Sequence, residues 1–412
     1  MNLNWKVLAA CALLAAVAIV PASETQGGDL AYFGATVGGS TGATLWRYDA
    51  TTNTTTSVEG VLEQVDSIAV DDTHAYTGIR VPGQGIIKRY AHAGGSQDIQ
   101  LGLSTVESLA VSDSRLYAAL SSDGGGLIKH YPKTAPFIHG GIDGDIELGL
   151  GSGKEIIVSS DGNTIYASLP NAGGGGIKQY DVTNPFSPAG SDFQFNQGSS
   201  NMHLDETAGR LVVGFDGNGG VTKSYPLPAG SGVTDNEFGV GNAFPPLVTS
   251  SGVEVFTAIS AGNGILKQYN MLAPVGGGAD DIANNLGNIG GIQYANGKLY
   301  ALFNDGVSGG VLKSWDVDGP NTGPGNPALN PTDVSPTGQG DPLMLELAGD
   351  LLFMGTSGSG GTLRVYDTAT EQFIHESFGY GSFTAFASNI PEPGTLVLAS
   401  FGLLGLLPRR RR

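Results

Sequence analysis

This sequence predicts an all-β fold made of repeated four-stranded antiparallel units, and three observations carry that prediction. The first is a short stretch that recurs with small edits: Gly85-Ile86-Ile87-Lys88-Arg89-Tyr90, Gly126-Leu127-Ile128-Lys129-His130-Tyr131, Gly220-Val221-Thr222-Lys223-Ser224-Tyr225 and Gly310-Val311-Leu312-Lys313-Ser314-Trp315. From the weaker first copy at Tyr48 onward, the closing aromatics are 42, 41, 49, 45, 44, 46 and 51 residues apart. The second is a hairpin signal before each copy, such as Val106 to Val111, a polar turn, then Leu116 to Leu120. The third is composition: 66 glycines in 412 residues, against a usual share of about 7%, with only 14% charged residues. Tight turns between short strands account for that balance.

In chain order, residues 1–22 read as a secretory signal. Lys6 supplies the positive start, Val7 to Val20 is an apolar run, and Val20-Pro21-Ala22 places cleavage after Ala22. Cys11, the one cysteine, lies inside that signal, so the body from 29 to 388 has no disulfide or thiolate chemistry.

Each following unit reads as four strands: an inner apolar strand, a second one, the Lys-x-Tyr strand, and an irregular fourth. The fourth is marked by Asp98-Ile99-Gln100-Leu101, Asp145-Ile146-Glu147-Leu148, Asp192-Phe193-Gln194-Phe195 and Asp235-Asn236-Glu237-Phe238. Four strands every ~45 residues is the period of a β-propeller blade. The second strand occurs eight times, which predicts eight blades; seven, with one unit merged, is the alternative. The first copy lacks an inner strand, and Ser382 to Ser388 supplies one, closing the ring and removing sheet edges. The proline-rich stretch from Asp316 to Pro342 reads as an outer loop of the seventh blade. The strand pattern, with Tyr366-Asp367-Thr368-Ala369-Thr370 as its best match, resembles the YVTN-type propeller repeats of bacterial surface proteins.

At the C-terminus, Pro391-Glu392-Pro393-Gly394-Thr395 precedes an apolar run from Leu396 to Leu407 and the cluster Arg409, Arg410, Arg411 and Arg412. This resembles the PEP-CTERM sorting signal of exosortase substrates. The resemblance implies that Pro391, Glu392, Pro393 and Thr395 lie in the motif read by an exosortase-like membrane protease. The apolar run falls short of the ~20 residues of a full span. It predicts a short transmembrane segment and transient membrane association, with the four arginines as a cytoplasmic stop.

Little points to catalysis. The repeated lysine stands between large apolar residues on one strand face, where its stem packs and its ammonium stays wet; the Asp opening the next strand is its expected partner. The glycine runs open strands rather than helices, which argues against phosphate loops. His74, His92, His130, His139, His203 and His375 show no metal-ligand spacing. No catalytic residue, metal ligand or cofactor is assigned. Residues 23–390 hold 15 Lys and Arg against 37 Asp and Glu, and such an acidic body argues against nucleic acid as a partner. The reading is an exported, non-catalytic propeller at the cell surface or in the extracellular matrix. It would bind an exopolysaccharide or a surface protein through loops on one face. The competing reading is a hydrolase- or lactonase-like enzyme acting on sugars or esters.

Overall fold

The second strand of each unit is a nearly unbroken apolar run, such as Leu116-Tyr117-Ala118-Ala119-Leu120, and a strand of that kind needs both faces covered. The computed structural model of the chain covers them by stacking small antiparallel sheets. It describes residues 29–36, 42–121, 127–135, 137, 145–147, 152–170, 176–182, 200–206, 209–215, 221–227, 234–238, 247–248, 254–259, 264–270, 279–304, 309–317, 330–335 and 340–389.

The first sheet holds β1 (Leu30–Thr36), β2 (Ala43–Asp49) and β3 (Thr54–Leu62). The second holds β4 (Gln64–Val70), β5 (His74–Val81), β6 (Gln84–Ala91) and β7 (Ser96–Leu103). In the third are β8 (Val106–Val111), β9 (Arg115–Leu120), β10 (Leu127–Pro132) and β11 (Asp145–Glu147). The fourth comprises β12 (Glu155–Val158), β13 (Thr164–Leu169) and β14 (Gly176–Asp181). Next come β15 (Ser200–Asp205), β16 (Arg210–Phe215), β17 (Val221–Pro226) and β18 (Thr234–Phe238), then β19 (Leu247–Val248), β20 (Glu254–Ile259), β21 (Ile265–Asn270) and β22 (Ala279–Asn284). The seventh sheet is β23 (Asn288–Ala295), β24 (Lys298–Asn304), β25 (Gly310–Asp316) and β26 (Thr332–Asp333). The eighth is β27 (Pro342–Ala348), β28 (Leu351–Thr356), β29 (Thr362–Asp367) and β30 (Gln372–Phe378). The last strand, β31 (Phe383–Ser388), returns to the first sheet, whose order is β3-β2-β1-β31.

Hydrophobic clusters straddle neighbouring sheets. Tyr90 packs with Leu30, Tyr32 and Leu45 of the first sheet, Tyr131 with Tyr76 and Ile87 of the second, and Tyr180 with Tyr117 and Ile128 of the third. Tyr225 packs on Tyr166 and Ile177, Trp315 on Ala258 and Leu266, and Tyr366 on Tyr300 and Leu312. In these six sheets the closing aromatic of the third strand thus sits on the preceding sheet. Tyr48 follows the same rule, and its neighbours Phe353, Leu363 and Val365 belong to the eighth sheet. The first strands touch in the order β4, β8, β12, β15, β19, β23, β27, and both β27 and β4 touch β31.

Sheets this close need a small residue where one second strand faces the next first strand. A Cβ on Gly34 would lie 2.6 Å from Val65 Cβ, and one on Gly78 would lie 2.6 Å from Val106 Cβ. Both distances are impossible without moving a strand.

Irregularities that periodicity does not reveal recur in the outer strands. Ile87 faces Gln100 while Lys88 faces Asp98, so Ile99 is an extra residue, and it is buried. The same skip leaves Ile146, Asn236 and Ile282 without a partner residue in the register. Such bulges turn the strand and bring the acid opening it opposite the lysine. The expected fourth strand at 192–195 lies outside the described residues. Part of the stretch expected as an outer loop is instead the edge strand β26, with Lys313 facing Asp333. A two-residue edge needs pairing on one side only, which Pro331 does not prevent.

Gly78→Val tests the close approach. It is expected to lower stability by about 1–3 kcal/mol through overpacking, read by thermal or denaturant melting; an unchanged midpoint would show that β8 gives way freely.

Candidate functional site

Two regions gather polar groups: the place where the described chain ends, and the row of first strands.

The final strand closes on β1 with Ala31 opposite Ser388, so Asn389 follows directly beside Leu30. The Asn389 amide N–H donates to Leu30 O at 3.1 Å, and its side-chain oxygen accepts from the Leu30 amide at 3.2 Å. Its Nδ2 donates to Asp71 O at 3.3 Å. Asp71 opens the β4–β5 turn, where its Oδ1 accepts from the Thr73 and His74 amides at 2.8 and 2.9 Å. Lys133 from the third sheet reaches Asp71 Oδ2 at 2.7 Å, and Tyr76 donates to the same oxygen at 3.0 Å. Burial pushes the Asp71 carboxyl up, but Lys133 and the turn's hydrogen bonds outweigh it and hold the group well below the usual carboxylate range.

His92 completes this cluster. Its Nε2 is 2.8 Å from Asp71 O, and a carbonyl can only accept, so Nε2 carries the proton. Nδ1, 2.9 Å from the Tyr32 hydroxyl, then accepts. Burial lowers the His92 pKa, and the contact with Asp71 O does not compensate, so the ring is neutral near pH 7. His74, also lowered by burial and within electrostatic reach of His92, donates its backbone N–H to Asp71. This histidine pair is brought together by the fold without forming a metal site: among the described residues no three His, Cys, Asp or Glu converge on an ion-sized gap. His375 instead contacts Thr55 across the first and eighth sheets, and His139 lies outside the described residues.

Along the first strands, polar side chains bridge to the next strand's backbone. Ser67 Oγ donates to Val106 O at 2.8 Å, Ser108 Oγ accepts from Ile156 N at 3.3 Å, and Glu155 accepts from Met202 N at 2.6 Å. Gln293 donates to Leu345 O at 3.1 Å. These bonds occupy backbone groups at edges that no ladder covers. Burial pushes Glu155 up to about 7 against the Met202 bond, and pushes Glu346 up to about 7. Asp66 rises to about 6, again chiefly by burial, although it pairs with Arg80 at 2.9 Å. Arg80 also lines a polar cleft of about 430 Å³ with Gln84, Ser104, Thr105, Ser121 and Ser152. That cleft lies at the β5–β6 turn end of the sheets, opposite the end that holds Asn389.

The repeated lysines meet the acids expected of them. Lys267 is 2.8 Å from Asp281 and Lys313 is 3.2 Å from Asp333. Lys88 lies 4.0 Å from Asp98 but 2.7 Å from Glu59 on the preceding sheet, a partner that the spacing does not indicate. Its Nζ also lies 5.5 Å from the centre of the Tyr90 ring on the same strand face. Sequence reasoning missed Asp71, His92 and Asn389 as a group. The one local signal is Asp71-Asp72-Thr73-His74 standing where the fourth unit has Ser159-Ser160-Asp161-Gly162. Ala22, Pro391, Glu392, Pro393, Thr395 and Arg409 to Arg412 lie outside the described residues.

Glu346 offers a test of the buried row. Folding raises its pKa from 4.5 to about 7. Its contribution is therefore complete below about pH 4.5 and lost as pH rises through about 7. Glu346→Gln resembles the protonated form. Its melt should match wild type near pH 4.5 and exceed it at pH 8 by a shift worth about 1–2 kcal/mol; coincident melts at pH 8 would place the carboxyl in water.

The family description that matches the sequence is the PEP-CTERM protein-sorting motif, over residues 389–412. No curated protein matches the chain by sequence. Among solved structures, the fold is similar to dihydro-heme d1 dehydrogenase NirN in complex with DHE, at 11% identity over 90% of this chain and 77% of that one, TM-score 0.61. It is similar to a putative 6-phosphogluconolactonase from Bacteroides fragilis NCTC 9343, at 13% identity over 89% and 99%, TM-score 0.51. A protein from Lactobacillus plantarum gives 12% identity over 87% and 98%, TM-score 0.52. At such identities the likeness is one of fold alone. Among the described residues no helix is long and apolar enough to cross a membrane, and the expected short span at 396–407 lies outside them. The chain joins a body of small antiparallel sheets, with β-propeller-like neighbours, to a PEP-CTERM sorting signal, which marks it as an exported protein processed by an exosortase.

Proposed function

We propose that this protein is a cell-surface β-propeller of eight blades, closed by β31 and handed to the exosortase system as a folded, non-catalytic scaffold. The observation that carries the reading is Asn389. It is the last of the described residues, hydrogen-bonded to β1, and the first of the matched sorting motif. In this reading residues 1–22 are the signal removed after Ala22, residues 29–388 are the propeller, and residues 391–412 are the sorting segment. Pro391, Glu392, Pro393 and Thr395 are presented to the protease, and Arg409 to Arg412 hold the end at the cytoplasmic face. The eight sheets, the contacts of β31 with both β4 and β27, and the packing of Tyr48 on the eighth sheet support the closed ring.

A scaffold role fits the polar groups along the first strands, because Ser67, Ser108, Glu155 and Gln293 are engaged in joining neighbouring sheets. Binding of an exopolysaccharide or surface protein would use the turns at the cleft beside Arg80, where hydroxyl and amide side chains are available.

Mass spectrometry of the exported protein should find a C-terminus near Pro391; intact Arg412 in the membrane fraction would refute processing. Ring closure has its own assay. Truncation after Tyr380 should abolish the cooperative melt that truncation after Asn389 preserves, and equal melts would separate β31 from closure.

A further inference from the structure

The attachment of Asn389 restricts where the processing enzyme can work. Only Ile390 separates it from Pro391. A fully extended chain spans at most about 3.6 Å per residue, so Glu392 Cα lies within about 11 Å of Asn389 Cα, and Leu396 within about 25 Å. Asn389 itself is held at three points, to Leu30 through its main-chain and side-chain atoms and to Asp71 O. A protease that encloses a peptide bond within the motif must therefore meet the surface around that anchor.

That surface is the end of the first two sheets that carries the β4–β5 and β6–β7 turns. Asp29, Asp72, Thr73, Ala93 and Gly94 are exposed there. They are short, and two are acidic, while Asp71 behind them is already neutralised by Lys133. Short side chains let a partner approach closely, and the two exposed carboxylates favour hydrogen-bond donors or cations on it.

We propose that this end of the propeller is a docking surface for the exosortase-like membrane enzyme, in contact with it during cleavage. The inference rests on the sorting reading and adds to it the face that the body presents. The motif is read against a folded surface, and the opposite end, with the Arg80 cleft, points away from the membrane.

The test uses the full chain in a host that carries the processing enzyme, with the rate of cleavage followed by pulse-chase and the product terminus by mass spectrometry. Asp72→Lys and Ala93→Trp alter the exposed surface outside the Asn389 hydrogen bonds. Each should slow cleavage at least fivefold, whereas Asn288→Trp, exposed at the other end, should not. A ten-residue Gly/Ser spacer between Asn389 and Ile390 should restore both slow variants to within twofold of wild type. Melting of each purified body separates a folding defect from a docking one. Wild-type rates for Asp72→Lys and Ala93→Trp, or slow cleavage that the spacer does not rescue in a well-folded body, would overturn the docking surface. Unimpaired processing of Glu392→Ala would overturn the sorting reading, and this inference with it.

Discussion

The structure depends on one contact repeated from sheet to sheet: an aromatic that closes the third strand is buried against the sheet before it. A four-stranded sheet with apolar residues on both faces cannot hide them alone. Each unit therefore needs a neighbour on either side, and the large rings at Tyr90, Tyr131, Tyr180, Tyr225, Trp315 and Tyr366 supply much of the area. A buried aromatic side chain covers about 150–250 Å², so losing any one sheet would expose its neighbours. Gly34 and Gly78 are the counterpart, since the rings are useful only if the backbones can approach. The lysines lie beside this contact. Lys88 holds its ammonium near the Tyr90 ring, and Lys267 and Lys313 place their charge on acids of the fourth strand, which accounts for the repeat without needing chemistry from it.

The first strands carry a different load. Each has one ladder neighbour and one free edge, and the free edges are bridged by single side chains rather than by a second ladder. Glu155 is one of those side chains; Glu346 accepts from Gln293, Asp66 pairs with Arg80, and burial favours the protonated form of all three. Burial acts in the opposite sense on His74, His92 and His375, which favour their neutral forms. The acids lose stabilising influence as pH rises toward 7, and the histidines lose theirs as pH falls below about 6.5. The two sets therefore respond to pH in opposite senses.

The strands were legible in sequence because burial on both faces writes a continuous apolar run, as at Leu116 to Leu120, and because turns between them demand Gly and Asp. The return of the last strand to the first was legible too, from a missing inner strand at one end and a spare one at the other. The outer bulges were not. Whether Ile99 or Ile282 pairs or is skipped is a property of register between two strands, and neither strand records it alone. Lys88 choosing Glu59 over Asp98 is likewise decided by how one sheet leans on the next. Asp71, His92, Lys133 and Asn389 come from four separated places, and each has an ordinary local reading as a turn or strand end. Asn389 joins the other three only through the pairing of β1 with β31.

That pairing also sets the order in which the molecule can be finished. Ala31 and Ser388 are partners across 357 intervening steps of chain. The entropy of closing so long a loop grows only slowly with its length, so the equilibrium cost is modest. The kinetic consequence is larger. In the order of synthesis, β1 waits with one edge open until β31 is made. An open strand edge recruits other strands, and non-local pairings form slowly. Sealing of the first sheet therefore waits for the residues that lead directly into the matched sorting motif.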